Sequence, residues 1–199
     1  MKIIVIGGTG TIGSAVVNEL GKHHDIITVA NSQGDLRVDI TDPESIEKMY
    51  KNIGKVDGVV ATTGKVHFGA LAQFNSALYQ IGLNSKLMGQ VNLVLIGLQY
   101  MNDHGSFTLT SGILNHDPIQ YGSGAAMVNG AIDGFVKSAA IEMPRQIRIN
   151  VVSPTVVEES TGKYGDFFRG FEPASAKRVA LAYSKSVNGL QTGQIYNVW

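Results

Sequence analysis

The chain has no cysteine. That absence excludes a disulfide framework, a thiolate nucleophile and any metal site built on sulfur, and it fits a reducing cytoplasm. Charge of one sign is lacking too: sixteen basic residues balance sixteen acidic ones, with no basic stretch or block of like charge. Nothing in that balance favours nucleic acid or an anionic membrane surface as a partner. Long apolar runs are also missing. The opening Ile3-Ile4-Val5-Ile6 is cut short by glycine and does not make a secretory signal core. The stretch Val91 to Leu98 contains Asn92 and Gly97 and falls short of a membrane span. The histidines, His23, His24, His67, His104 and His116, have no paired ligand spacing, so no metal is expected. Neither the Gly-x-Ser-x-Gly elbow of esterase nucleophiles nor the Gly-x-x-x-x-Gly-Lys loop of phosphate-hydrolysing enzymes occurs. No repeat, low-complexity tract or linker divides residues 1–199, so one domain is expected.

Glycine, by contrast, is plentiful, and its most informative cluster comes first. Gly7-Gly8-Thr9-Gly10-Thr11-Ile12-Gly13 follows directly on the apolar run. A short β-branched run of this kind predicts a strand buried on both faces. After it, Ile12, Ala15, Val16, Val17 and Leu20 form a helical stripe. A strand turning tightly into a helix aims unpaired N–H groups and a positive dipole end at the turn. Gly7, Gly10 and Gly13 then allow close approach of a bound group, and a diphosphate matches such a corner best. A tight turn without a ligand has the same spacing. Its place between an N-terminal strand and a helix is what points to a nucleotide.

The remaining periodicity predicts strands at 26–30, 56–61, 106–110, 147–152 and 194–198. Between them lie a helix opened by Asp42-Pro43-Glu44-Ser45, a long helical tract over 71–100 broken around Ile81 and Gly82, and helices over 125–142 and 173–186. Strands alternating with helix-length segments imply a parallel sheet covered on both faces, an α/β doubly wound, Rossmann-type fold. Ligands of such sheets bind beyond the carboxyl ends of the strands. Those positions are Gly7 to Gly13, Asn31-Ser32, Asp39-Ile40, Thr62-Thr63-Gly64, Ser111-Gly112 and Pro154-Thr155.

In this order, these residues resemble the short-chain dehydrogenase/reductase family over essentially the whole chain. Gly7, Gly10 and Gly13 match its cofactor glycines, with Thr9, Thr11 and Ile12 between them. Asp39-Ile40 resembles its adenine-contacting pair, and Thr62-Thr63-Gly64 its Asn-Ala-Gly segment in variant form. Asn84 and Ser111 match the catalytic asparagine and serine, and Ile149 to Thr155 and Thr192-Gly193-Gln194 match later family stretches. The resemblance implies an NAD(P)-dependent oxidoreductase acting on a small carbonyl or alcohol. It also implies a dimer or tetramer packed through the helices at 84–100 and 125–142. The aromatic segment with Tyr164, Phe167, Phe168 and Phe171 is where the family covers its substrate; packing as ordinary core is the alternative.

The family's Tyr-x-x-x-Lys pair is missing: Ala125 stands at the tyrosine and Asn129 at the lysine. Alanine cannot move a proton, and Asn129 can hydrogen-bond a ribose but carries no charge. Tyr121, or His116 in the same loop, is the candidate replacement donor; a solvated loop is the alternative for both. Ser111 could instead hydrogen-bond its own backbone, and Asn84 could be a structural amide. Asn31-Ser32, at the end of the second strand, lacks both the acid that selects NAD and a cation that selects NADP, with NADP slightly favoured. A second reading is a dinucleotide-binding sensor without hydride chemistry.

Overall fold

A computed structural model describes residues 1–199. The opening apolar run becomes β1 (Lys2–Ile6). Its side chains alternate between two cores: Ile4 and Ile6 join one, Ile3 and Val5 the other. A strand that feeds two cores needs apolar residues at every position, hence the unbroken run. The sheet continues with β2 (Asp25–Ala30), a short β3 (Leu36–Arg37), β4 (Val56–Ala61), β5 (Met101–Thr110), β6 (Arg148–Pro154) and β7 (Ile195–Val198). All neighbours run parallel in the order β3-β2-β1-β4-β5-β6-β7. Strand order reverses between β1 and β4, which opens a crevice at their carboxyl ends.

On one face pack α1 (Thr11–Leu20) and α7 (Ala176–Asn188), burying Val16, Leu20, Val179 and Tyr183 against Ile3, Val5 and Val60. The other face is covered by α2 (Pro43–Ile53), then α3 (Ser76–Gly82) and α4 (Gly89–Gly97), and the long α5 (Ser123–Glu142). Here Ile46, Tyr50, Leu93 and Ile132 meet Phe107 and Leu109. The expected cap of α2 is in place, since Asp42 Oδ1 accepts from the Glu44 amide at 3.0 Å.

Three features depart from the sequence reading. The strand β3 was not expected; only two residues long, it gives no periodic signal. β5 starts at Met101 and carries an irregularity, pairing Met101 with Val56 but Ser106 with Gly58. The helical tract does not break at Ile81 and Gly82. Its hydrogen bonds widen into a π-helical turn over Leu83–Met88 between α3 and α4. Glycines flank that turn because its neighbours are close: a Cβ on Gly89 would lie 2.8 Å from Ile40 Cδ1, and one on Gly82 3.2 Å from Val128. By length and composition, Ser76–Tyr100 passes as a membrane span, contrary to the reading of its shorter apolar core. In the fold, Val91, Leu93 and Val94 of this tract are buried.

Candidate active site

The crevice between β1 and β4 is built by glycines that do different work. Gly7 leaves β1 at φ +81°, and a Cβ there would lie 2.6 Å from the Thr62 carbonyl oxygen. A Cβ on Gly13 would lie 2.0 Å from the Gly7 carbonyl oxygen. The protein's own packing of α1 on the β1 turn therefore demands both. Gly10 is different: only the Gly7 oxygen comes near its Cβ position, at 3.3 Å. It precedes α1 with no side-chain cap, so the amides of the first turn are left for a ligand. Thr9 and Gly10 border a cleft of about 780 Å³, with Thr62, Thr63 and Gly64 across from them at the end of β4.

Asn31 and Ser32 after β2, and Asp39 and Ile40 beyond β3, line the same cleft. Thr41 donates to Asp39 Oδ1 through its hydroxyl at 2.7 Å and its amide at 2.9 Å, which holds this carboxyl below the ordinary range. Asp35 turns away to accept from the Thr28 amide at 2.8 Å. Strand β3 brings Arg37 into register with Ala30 at the end of β2, although Arg37 does not line the cleft.

A second, smaller cavity of about 280 Å³ lies past β5 and β6. Its walls are largely apolar, with Ile12, Ile113, Val156 and Phe168 among them. Ser111, Asn129, Pro154 and Thr155 line it too. Ser111 Oγ, Asn129 Oδ1 and Thr155 Oγ1 are buried there without a hydrogen-bond partner. Unpaired buried polar atoms cost about 1–3 kcal/mol each, so three in one apolar cavity suit a polar ligand atom. Asn129 is fixed through its amide, which donates to the Gly112 carbonyl at 3.1 Å.

The sequence reading missed Lys86. It lies in the π-helical turn, lines the smaller cavity and donates from Nζ to the Ser111 carbonyl at 2.8 Å. Burial lowers its pKa to about 8, with the nearby Asp133 carboxylate acting against that shift. Gly64, at φ +126°, packs on its stem; a Cβ there would lie 2.6 Å from Lys86 Cα. A signal was present in the sequence: Lys86 is the single charged residue between Leu71 and Tyr100. One ammonium in thirty otherwise uncharged positions deserved a reason.

Other candidates sit elsewhere. Asn84 lines the larger cleft and not the cavity holding Ser111. Tyr121 reaches neither space: it is exposed at φ +68° with its ring edge-on to Phe167, so the expected hydroxyl beside Ser111 is absent. His116 faces Asp133 Oδ2 at 3.6 Å and packs against Trp199. Thr11 is exposed, and its carbonyl accepts from the Ser14 hydroxyl. In the aromatic segment, α6 (Thr161–Tyr164) brings Tyr164 to the smaller cavity, and Phe168 lines it too.

Similarity to known proteins follows the same outline. The family described as enoyl-(acyl carrier protein) reductase matches residues 12–189. L-xylulose reductase of Mesocricetus auratus is 25% identical over 182 residues, covering 81% of this chain and 74% of its own. The solved structure of the Listeria innocua protein lin1944 has a TM-score of 0.99 at 53% identity, with both chains covered in full. A small-chain dehydrogenase solved in complex with NADPH has a TM-score of 0.89 at 25% identity, covering 100% of this chain and 96% of its own. With the family match running over residues 12–189 and the parallel sheet shared with these solved structures, the chain belongs to the short-chain dehydrogenase/reductase family.

Proposed function

We propose that this protein is an NADP(H)-dependent oxidoreductase that moves hydride between nicotinamide and a small carbonyl or alcohol. The observation that carries the reading is the buried, unpartnered Ser111 Oγ in a small apolar cavity beside a glycine-lined cleft. Consecutive residues join the two spaces: Asn84 and Ser85 border the cleft, Lys86 the cavity. Thr9, Gly10 and the first turn of α1 would hold the diphosphate, Asp39 and Ile40 the adenine, and Thr62 to Gly64 the adjoining ribose. Asn129, Pro154 and Thr155 would meet the nicotinamide end. NADP is preferred over NAD because Asn31-Ser32 offers no carboxylate against a 2′-phosphate, and Arg37 stands in register beside that strand end. The NADPH complex of the relative at 25% identity supports the same choice.

Bound reduced nicotinamide supplies the hydride. Ser111 Oγ donates a hydrogen bond to the substrate oxygen, and the apolar walls with Tyr164 and Phe168 keep water out. NADPH fluorescence on binding, with its consumption by aldehydes, ketones and quinones, tests the reading. Ser111→Ala is expected to lower kcat by about a hundredfold while NADPH binds as before. Failure of millimolar NADPH to bind would sink the proposal. The loss of Tyr and Lys at Ala125 and Asn129 favours a second reading, a dinucleotide sensor; tight binding without turnover on any of these compounds selects it. Assembly as a dimer or tetramer belongs to this proposal, supported by exposed Leu95 on α4 beside a groove shared with Phe135 and Ala139 of α5. Sedimentation as a monomer would remove it. A cytoplasmic location is part of the same reading, in keeping with a chain free of cysteine.

A further inference from the structure

We infer that Lys86 is the proton donor of the reaction, delivered to the substrate cavity by the π-helical turn in place of the missing Tyr-x-x-x-Lys pair. The inference rests on the oxidoreductase reading above. Its geometry is local to one residue, Ser111, whose carbonyl anchors the Lys86 ammonium at 2.8 Å and whose Oγ is free in the same cavity. Lys86 and Ser111 thus line one cavity, and in this proposal a substrate oxygen that accepts from Ser111 Oγ also meets the ammonium. Only one of the three Nζ donors has a protein partner. The cavity's small volume and apolar walls suit a compact hydrophobic ketone or aldehyde with one polar oxygen.

The balance is simple. The carbonyl carbon accepts hydride from the reduced nicotinamide, the C=O π bond opens, and the oxygen takes a proton from Nζ. The product is an alcohol, and the neutral amine regains its proton from solvent. Burial brings the Lys86 pKa to about 8, where a lysine exchanges protons readily near neutral pH. The titratable groups around it are Asp133 on α5 with His116 against it, Tyr164 in the covering segment, and Lys65 on the side of the larger cleft. The Asp133 carboxylate favours the ammonium form of Lys86. Tyr164 is the one other titratable side chain lining the cavity, which sets the comparison.

The test uses the full chain with NADPH and the most rapidly reduced compound from a set of small apolar ketones and aldehydes. Wild-type kcat for reduction should be level at low pH and fall as pH rises through about 8, because the acid form is required. Lys86→Met should lower kcat by about a hundredfold or more with NADPH affinity unchanged. Lys86→Arg, which keeps the charge but not the titration, should stay slow and lose the fall near pH 8. Tyr164→Phe should keep it. A readout independent of turnover is the side-chain amine titration of ¹⁵N-lysine-labelled protein by NMR. One signal should titrate near pH 8 and be missing from Lys86→Met; titration of Lys86 among the ordinary lysines at about 10.4 overturns the inference. Equal rates for wild type and Lys86→Met, or loss of the pH dependence in Tyr164→Phe, overturn it while leaving the oxidoreductase reading intact. NADPH bound without turnover of any compound also overturns it, and no NADPH binding at all removes the oxidoreductase reading beneath it.

Discussion

Glycines at the first turn have separable roles. Gly13→Ala places a methyl 2.0 Å from the Gly7 oxygen, and α1 cannot retreat without leaving Val16 and Leu20 exposed. The expected cost is at least about 3 kcal/mol in chemical denaturation, whether or not a ligand is present. Gly10→Ala meets only the Gly7 oxygen at 3.3 Å, so the protein should fold normally and lose dinucleotide affinity by about tenfold. Equal effects of the two changes on stability would refute this division. Lys86 carries a second residue-scale consequence. Its folded pKa of about 8 lies below its unfolded value near 10.4, so between these the unfolded chain binds more protons. Stability must then rise with pH from about 8, reaching the full gain above the unfolded value, and Lys86→Met should lack the rise. The cleanest interval is below pH 10, since burial raises the pKa of Tyr50 and Tyr183 and those phenols oppose the trend only when unfolded tyrosines ionise. Urea midpoints of the two proteins across pH 7–10 decide the matter.

At the scale of elements, the π-helical turn is held by a side chain acting as a piece of backbone. Beyond Thr108, β5 no longer pairs with β4, and the fully buried Gln90 fills the gap. Its Oε1 accepts from the Thr110 amide at 2.8 Å, while its Nε2 donates to the carbonyls of Thr110 and Lys86, both at 2.9 Å. Gln90→Leu would strip partners from a buried amide and two carbonyls, costing about 3 kcal/mol in urea denaturation. It would also release the Lys86 backbone, so kcat should fall with little change in NADPH affinity. An unchanged stability would show that the turn stands without this bridge. The same contacts explain what the sequence could not convey. Helical spacing identified the tract 71–100, but where it widens depends on Gln90 meeting Thr110 twenty residues away. Without that, neither the inward aim of Lys86 nor the outward aim of Asn84 could be placed. Tyr121 failed for a related reason, since a loop residue at positive φ has no period from which to read its direction.

For the whole molecule, the legible part was the sheet and its consequence. Apolar runs placed six of seven strands, parallel order followed from the helices between them, and strand ends marked the cleft. The two-residue β3 escaped, and with it the placing of Arg37, which comes beside the end of β2 through strand pairing and not through sequence proximity to Asn31. The cleft spans the ends of β1, β2, β4 and the loop beyond β3, so a ligand filling it ties together elements that must separate when the chain unfolds. Ligand that binds only the folded state adds about 2.7 kcal/mol at a hundred times its Kd. A chain of this size gains about 2–4 °C per kcal/mol, so NADPH at that excess should raise Tm by roughly 5–10 °C. Ser111→Ala should show the same rise because Ser111 is assigned to the substrate oxygen and not to the cofactor, whereas Gly10→Ala should show less at equal concentration. Arg37→Ala should reduce the rise with NADPH and leave that with NADH unaltered. An identical melting curve with and without NADPH would mean that the crevice at the β1–β4 reversal does not receive this cofactor.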